Sequence, residues 1–458
     1  MTTTSTLPAT ALPDDTSRWT GHPRGLSTLF FVEMWERFSY YGMRAFLILY
    51  ITAPATNGGL GFTVADAAAL YGNYTMSAWG AAVFGGFIAD RFLGHYRSVL
   101  VGGAIIALGH FTLAFESLPF FYTGLTFIVI GTGLLKPNAS TLVGALYEPG
   151  DKRRDAGFSF FYMGINLGAM LGPLIAGYLA QRVSWHAGFA AAGFGMAIGL
   201  IQYTFGRSRL QPAAVRLQAR NASAVADPAS AAPASGEGGV LGFTTVEWKR
   251  IGAVLVFFLF AGLFWGAYEQ AGSTLTLFAD RYTRTEILGF NFPSSWFQSV
   301  QAIFVIILAP IFAWLWIRLG RYEPSSPMKF TLGLFFAGVS FLLLVPAGAL
   351  AQSGEGIRVS PWWLIWSYFI VELGEMCLSP VGLSLVTKLS PTRIVGLMMG
   401  VFFLSNALGN KLAGSAAAFF TSMPIADLFS WVAGITLGAA FILFLLIRPL
   451  RRMMGGVL

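Results

Sequence analysis

Glu33, Glu36, Arg37, Tyr40, Tyr41 and Arg44 lie in one stretch, EMWERFSYYGMR, with Leu29, Phe30, Phe31 and Val32 before it and Phe46, Leu47, Ile48 and Leu49 after it. Counted from Glu33, the other five follow at 3, 4, 7, 8 and 11 residues, so all six share one face of an α-helix. In an apolar helix at membrane depth, each carboxylate or guanidinium costs roughly 2.5 to 3.5 kcal/mol unless it meets a partner or water. Such a face must line a polar cavity or the inside of a helix bundle. Acids beside fixed cations can exchange protons and bind charged ligands. Glu33 and Arg37 are spaced for an ion pair one turn apart, which would make part of the stripe purely structural. That pairing leaves Glu36 and Arg44 without a reason.

The elements that must hold this face are membrane spans. Of 458 residues, 55% are hydrophobic, 15% aromatic and only 11% charged, and mean hydropathy is +0.65. Soluble domains carry about a quarter charged residues. The net charge of +8 and pI near 9.6 do not argue for nucleic acid, because the basic residues sit singly in short loops, as cytoplasmic anchors do. A single cysteine, Cys377, excludes an internal disulfide and a CxxC site, and His22, His95, His110 and His186 offer no HxxxH pair. Cys377 and His110 are expected to be packing residues. No metal site is expected, and no nucleophile stands near a base, so an embedded enzyme is not expected. The first 26 residues are polar and lack the charged-then-apolar order of a signal peptide, which predicts a cytoplasmic N-terminal tail.

Windows of about twenty apolar residues predict spans at 27–52, 66–90, 96–116, 119–146, 156–181 and 186–206. Residues 207–245, rich in Ala, Ser, Pro and charge, read as a cytoplasmic linker. Six more spans are predicted at 246–280, 293–319, 327–350, 361–390, 393–421 and 428–450, before a short tail, 451–458. The plan is thus an all-α membrane protein with a six-helix bundle over 27–206 and another over 246–450. With both termini in the cytoplasm, 21 of the 29 Lys and Arg fall inside and 4 outside; Arg37, Arg44, Lys136 and Lys411 lie within spans. That asymmetry supports the orientation.

Depth along each span, at about 1.5 Å per residue, sorts the buried charges. Arg44 and Glu269 (in FWGAYEQAGS) fall in the outer half, Lys136 (in GTGLLKPNAS) and Glu375 (in ELGEMCLSP) in the inner half. Pairing Arg44 with Glu269 and Lys136 with Glu375 neutralises these four, and each pair joins one bundle to the other. Two such pairs at opposite ends of a cavity could serve as the gates of a rocking transporter. Protonating a gate carboxylate would turn proton binding into motion.

Six helices, a linker and six helices resemble the major facilitator superfamily. GGFIADRFLGHYR resembles its GxxxDRxxGxxR loop through Gly86, Asp90, Arg91, Gly94 and Arg97. There Gly86 and Gly94 would allow close helix approach and a tight turn, and Asp90 and Arg91 would bind a neighbouring helix end or carboxylate in one conformation. A plain cytoplasmic turn with anchoring charges is the alternative.

Closer still, EMWERFSYYGMR resembles the ExxERFxYYG signature of the proton-coupled oligopeptide transporter (POT, or PTR) family. FYMGINLGAM resembles its FYxxINxG motif, and ELGEMCLSPVGLS its tenth-span motif. SWFQSVQAIFVIILAP and FFLSNALGNKLAG are also similar, so the resemblance covers both halves. It implies import of di- and tripeptides with protons across a bacterial inner membrane, without a cofactor and by a monomer. It places proton coupling at Glu33, Glu36, Arg37 and Glu269, and gate pairs at Arg44 with Glu269 and Lys136 with Glu375. It implies a peptide pocket lined by Arg37, Tyr40, Tyr41, Tyr71, Lys136, Asn166, Trp265, Gln301, Glu375 and Ser379. A carboxylate at one end and cations at the other would hold a peptide's termini whatever its side chains. Interhelical hydrogen bonding is the plainer role for Asn166 and Ser379, and packing for Trp265 and the tyrosines. Gln301 stands where many members have Asn, and Phe402 where Trp is common, which bears on pocket size. The linker has no room for the two extra helices of many bacterial members. A drug exporter, or an importer of a small anion such as nitrate, would share the fold; only a zwitterion calls for cationic and anionic ends facing each other.

Overall fold

A computed structural model describes residues 16–17, 20–148, 150–217, 243–391 and 394–455. Most of the predicted N-terminal tail, the central part of the predicted linker and the last three residues lie outside this description. The first half consists of α1 (Gly25–Thr52), α2 (Val64–Ile88), α3 (His95–Leu113), α4 (Leu118–Ala145), α5 (Arg154–Gly172) and α6 (Trp185–Phe205). The second consists of α7 (Thr245–Tyr268), α8 (Phe297–Leu319), α9 (Ser326–Ala351), α10 (Trp362–Leu389), α11 (Val395–Ala417) and α12 (Ile425–Met453). Apolar runs of this length fold as helices in lipid because every backbone group is then bonded within the segment. Polar residues mark the starts. Thr63 caps α2 by accepting from the Asp66 amide, Ser184 caps α6, and Thr244 and Glu247 cap α7 reciprocally.

Among the described residues, nine helical segments are long and apolar enough to cross a membrane. The helices α1, α2 and α11 are of similar length and are not among the nine. For α1 the reason is the opening stripe: every eighteen-residue window in it holds at least three of Glu33, Glu36, Arg37 and Arg44. The molecule is inverted relative to a soluble protein. Phe84, Phe87, Phe205, Ile317 and Phe441 point outward, while Glu33, Glu36, Arg37, Arg44, Glu269, Glu372 and Glu375 are buried.

α1 packs on α5 and α6, α3 on α4 and α6, and α2 on α4; α9 packs on α10 and α12, and α7 on α11 and α12. Contacts between the two groups run mainly through α2 against α11 and α5 against α8. Two helices are broken. Pro173 opens a wide turn over Pro173–Gly177, after which the chain of α5 resumes at Tyr178–Arg182. The chain of α7 breaks at the tight turn Glu269–Gly272 and resumes over Thr274–Tyr282. Beyond the sequence reading, a small hairpin pairs Glu286–Ile287 with Phe290–Asn291 around Leu288, whose φ of 52° suits a primed turn. After α6 the chain stays ordered through Arg207–Leu210 and a helical segment at 211–217, docked by Arg216 on the carbonyls of Ala145 and Leu146 at 3.2 and 2.7 Å.

Candidate functional site

The stripe of α1 faces inward as its spacing requires. Arg37 Nε is bonded to Glu36 Oε2 and lies 3.4 Å from Glu33 Oε1, and its guanidinium carbon sits 5.3 Å from the Tyr40 ring and 5.9 Å from that of Tyr41. All three charged groups are nearly fully buried. Glu33 Oε2, Glu36 Oε1 and Arg37 Nη2 have no hydrogen-bond partner among the described residues. The i,i+4 pair of Glu33 and Arg37 therefore exists without saturating the group. α5 can approach because Gly168 carries no side chain: a Cβ there would overlap the Met34 carbonyl and come 2.9 Å from Arg37 Cβ. This close approach sets Asn166, on the same helix, into the interior, where its Nδ2 donates to the Tyr162 carbonyl at 3.0 Å.

At one end of the interior, Arg44 and Glu269 form a buried ion pair. Arg44 also donates to the Glu269 carbonyl at 3.3 Å and to the Tyr71 hydroxyl at 2.7 Å. Glu269 reaches it because α7 breaks there, and Gly272 in that turn leaves no side chain between Tyr71 and Arg44. The hydroxyl of Tyr71, expected in the peptide pocket, is thus held by Arg44, and the residue is fully buried. More links tie the two groups of helices here. Trp296 Nε1 donates to the Leu174 carbonyl at 3.1 Å, Ser299 to that of Met170 at 2.7 Å, and Lys411 to Asn73 Oδ1 at 2.5 Å.

The other expected pair is not joined: the structure has no ion pair between Lys136 and Glu375. Lys136 Nζ lies 2.9 Å from the centroid of the Trp79 ring, next to Pro137 within the continuous helix α4. Glu375 instead accepts from the Tyr268 hydroxyl at 2.9 Å and the Tyr162 hydroxyl at 3.4 Å. An aromatic face and two phenols take the place of the opposite charge on each side. Around them Tyr40 Oη, Trp265 Nε1, Gln301 Nε2 and Ser379 Oγ are buried without a partner among the described residues. Phe402 is buried and packs where a Cβ on Gly382 would stand.

Sequence reasoning passed over Trp79, Tyr162, Tyr268 and Glu372. Three of them were within quoted motifs: Tyr162 in FYMGIN, Tyr268 beside Glu269, and Glu372 one turn before Glu375. Trp79 carried no signal beyond its place in α2.

The Asp90 loop also differs in detail. Residues Ala89–Leu93 form a wide helical turn ended by Gly94 at φ 74°, as a tight turn needs. Close helix approach is made by Gly85, where a Cβ would overlap the Gly133 carbonyl; at Gly86 a Cβ would meet nothing within 4 Å. The expectation for Gly86 is corrected accordingly. Asp90 pairs with His95 Nε2 at 3.2 Å, and His95 Nδ1 lies 2.7 Å from Asn138 Oδ1, so a histidine fixes the loop to α4. Arg91 and Arg97 are exposed. Among the described residues no group of three or more His, Cys, Asp or Glu is placed to hold a metal ion.

The sequence model of the POT family matches residues 96–221 and 244–432, more than half of the chain. The uncharacterized transporter YclF of Bacillus subtilis is 41% identical, with 96% of each chain aligned. The peptide transporter YePEPT of Yersinia enterocolitica is 37% identical over 95% of this chain and 96% of that one. Among solved structures, a mutant form of peptide transporter POT in complex with alafosfalin superposes with a TM-score of 0.85 at 38% identity, covering 96% of this chain and 98% of that one. These relatives are transporters and not enzymes.

Proposed function

The chain belongs to the POT family, and from that premise we propose that it imports di- and tripeptides with protons by alternating access. In this reading α1, α2 and α11 span the membrane with the other nine segments, giving two six-helix bundles of the major facilitator type in a bacterial inner membrane. Both termini are cytoplasmic, and the Arg44 end faces outward. The protein works as a monomer, and protons are its coupling ion.

One observation carries the reading. Across the interior, the cations Arg37 and Lys136 belong to the first group of helices and Glu375 to the second, with unpartnered polar groups of Tyr40, Trp265, Gln301 and Ser379 among them. A peptide offers an ammonium, a carboxylate and amides, which complement that set and bridge the bundles. With Arg44 bound to Glu269 and Lys136 apart from Glu375, the conformation reads as closed outside and open inside. Protons enter at Glu33 and Glu36, where a change of charge alters the hold on Arg37.

The test is uptake of labelled dialanine into proteoliposomes under imposed pH and voltage gradients. Glu36→Gln is expected to abolish accumulation driven by an inward proton gradient while peptide exchange, which moves no net proton, persists. Accumulation that ignores both gradients in the unmodified protein would overturn symport. Dialanine neither transported nor competing, with nitrate or a lipophilic cation moved instead, would overturn the peptide.

A further inference from the structure

Glu372 and Glu375 lie one turn apart on α10, and the protein treats them differently. Glu375 receives two tyrosine hydroxyls. Glu372 is 0% exposed, and among the described residues neither of its oxygens has a well-directed hydrogen bond and no Lys, Arg or His forms an ion pair with it. Glu375, Tyr268 and Gln301 stand within hydrogen-bonding reach of it without good alignment. The amide nitrogen of Gln301, itself nine-tenths buried, also lacks an acceptor. A buried carboxylate costs several kcal/mol without compensation, and what this one lacks is a positive charge. Tyr162, Tyr268 and Gln301 supply dipoles but no cation. α10 descends from Tyr368, whose neighbour is Arg44, through Glu372 to Glu375, so Glu372 is the deeper of the two acids seen from the open end.

We propose that Glu372 is a specificity-determining residue that takes the side-chain cation of a peptide whose first residue is basic, while Glu375 holds the α-ammonium. This rests on the peptide reading given above. Three residues of helix place the acids about 4.5 Å apart along the axis, a span that an extended lysine or arginine side chain covers from its own α-nitrogen. Gln301 stands beside Glu372 with a free donor and adds a second polar partner for the carboxylate once the cation draws it into line. A neutral dipeptide satisfies only Glu375. A dipeptide with its basic residue second carries the cation towards the wrong end of the pocket.

The experiment compares lysyl-alanine, norleucyl-alanine and alanyl-lysine as substrates of the full-length protein in proteoliposomes, with dialanine as reference. Norleucine keeps the length of lysine without its charge. The unmodified protein is expected to show a KM about tenfold lower for lysyl-alanine than for norleucyl-alanine, the scale of one charge-assisted contact, and no such advantage for alanyl-lysine. In Glu372→Gln the ratio of the two KM values should fall to about one. Because a ratio is read, a general loss of transport by the variant cancels. If the variant is inactive, the comparison within the unmodified protein decides alone. An unmodified protein that does not distinguish lysyl- from norleucyl-alanine, or a variant that keeps the full ratio, overturns the proposal. Failure of the unmodified protein to move any of the four peptides would overturn the peptide reading itself.

Discussion

Arg44 is a buried and Lys136 a half-buried cation of the first six helices, and the molecule neutralises them in opposite ways. Arg44 has a carboxylate, a carbonyl and a phenol within reach, two of them from across the molecule. Lys136 has the face of Trp79, from its own half. A guanidinium with five donors in a fixed fork suits the first solution, because each donor can be given a partner in one geometry. A compact ammonium on a flexible stem suits the second, since it can rest on a ring and leave again. The residue types thus match a latch that is made at one end and a cation held in reserve at the other.

Removing the latch has the largest expected effect. Glu269→Gln leaves Arg44 buried beside neutral groups, a loss of about 3 to 5 kcal/mol for a buried pair. The state held together at the Arg44 end should lose population, and spectroscopic distances between labels at that end of α1 and α7 should lengthen. Distances at the Lys136 end should shorten in the same samples. Unchanged distances at both ends would break the contrast, by showing that Trp296, Ser299 and Lys411 hold the closed end without the ion pair.

A smaller effect is expected where Glu375 is held by phenols. Tyr268→Phe removes one 2.9 Å hydrogen bond, and a bond to a charged group contributes roughly 1.5 to 3 kcal/mol. The carboxylate should lose its set position, raising the KM for dialanine about tenfold with label distances at the Arg44 end unaltered. A KM that stays constant would mean that Tyr162 alone positions Glu375.

These two sites also differ in how far the sequence discloses them. The pair of Arg44 and Glu269 follows from spacing and depth: a charge at a given level of a span has few partners, and the break of α7 at EQAGS keeps Glu269 at the level counted for it. The fold class follows for the same reason, since lipid permits few alternatives to helices. The counterparts of Lys136 and Glu375 do not follow. Charge balance favours pairing them, but under the alternating access proposed above only some pairs would form at a time, and the sequence does not say which. Trp79, Tyr162 and Tyr268 substitute for charge with a ring face and hydroxyls, and such residues look like ordinary packing in a chain with 15% aromatics. Gly85 and Gly86 show a finer limit. Only Gly86 satisfies the loop motif, yet one residue of rotation on a helix, about 100°, makes its neighbour Gly85 the one that meets α4.

The smallest effect should come from the resting place of Lys136. A half-buried cation over an indole is worth about 1 to 2 kcal/mol, less than the roughly 3 to 5 kcal/mol that breaking a buried ion pair costs, so the ring holds the lysine without trapping it. Trp79→Leu keeps an apolar residue of moderate volume but removes the ring, and the ammonium then gains more from a carboxylate. The expected result is a shift towards pairing with Glu375, seen as shorter distances between labels at the C-terminal ends of α4 and α10. Transport should slow, because a cation that stays on Glu375 delays reopening, and the KM for dialanine should rise as peptide competes for the same carboxylate. Tyrosine at position 79 presents a weaker face and should fall between leucine and the native residue. If leucine and tyrosine leave both distances and KM as they were, the ring is packing only, and Lys136 must be held back from Glu375 by the shape of α4 at Pro137.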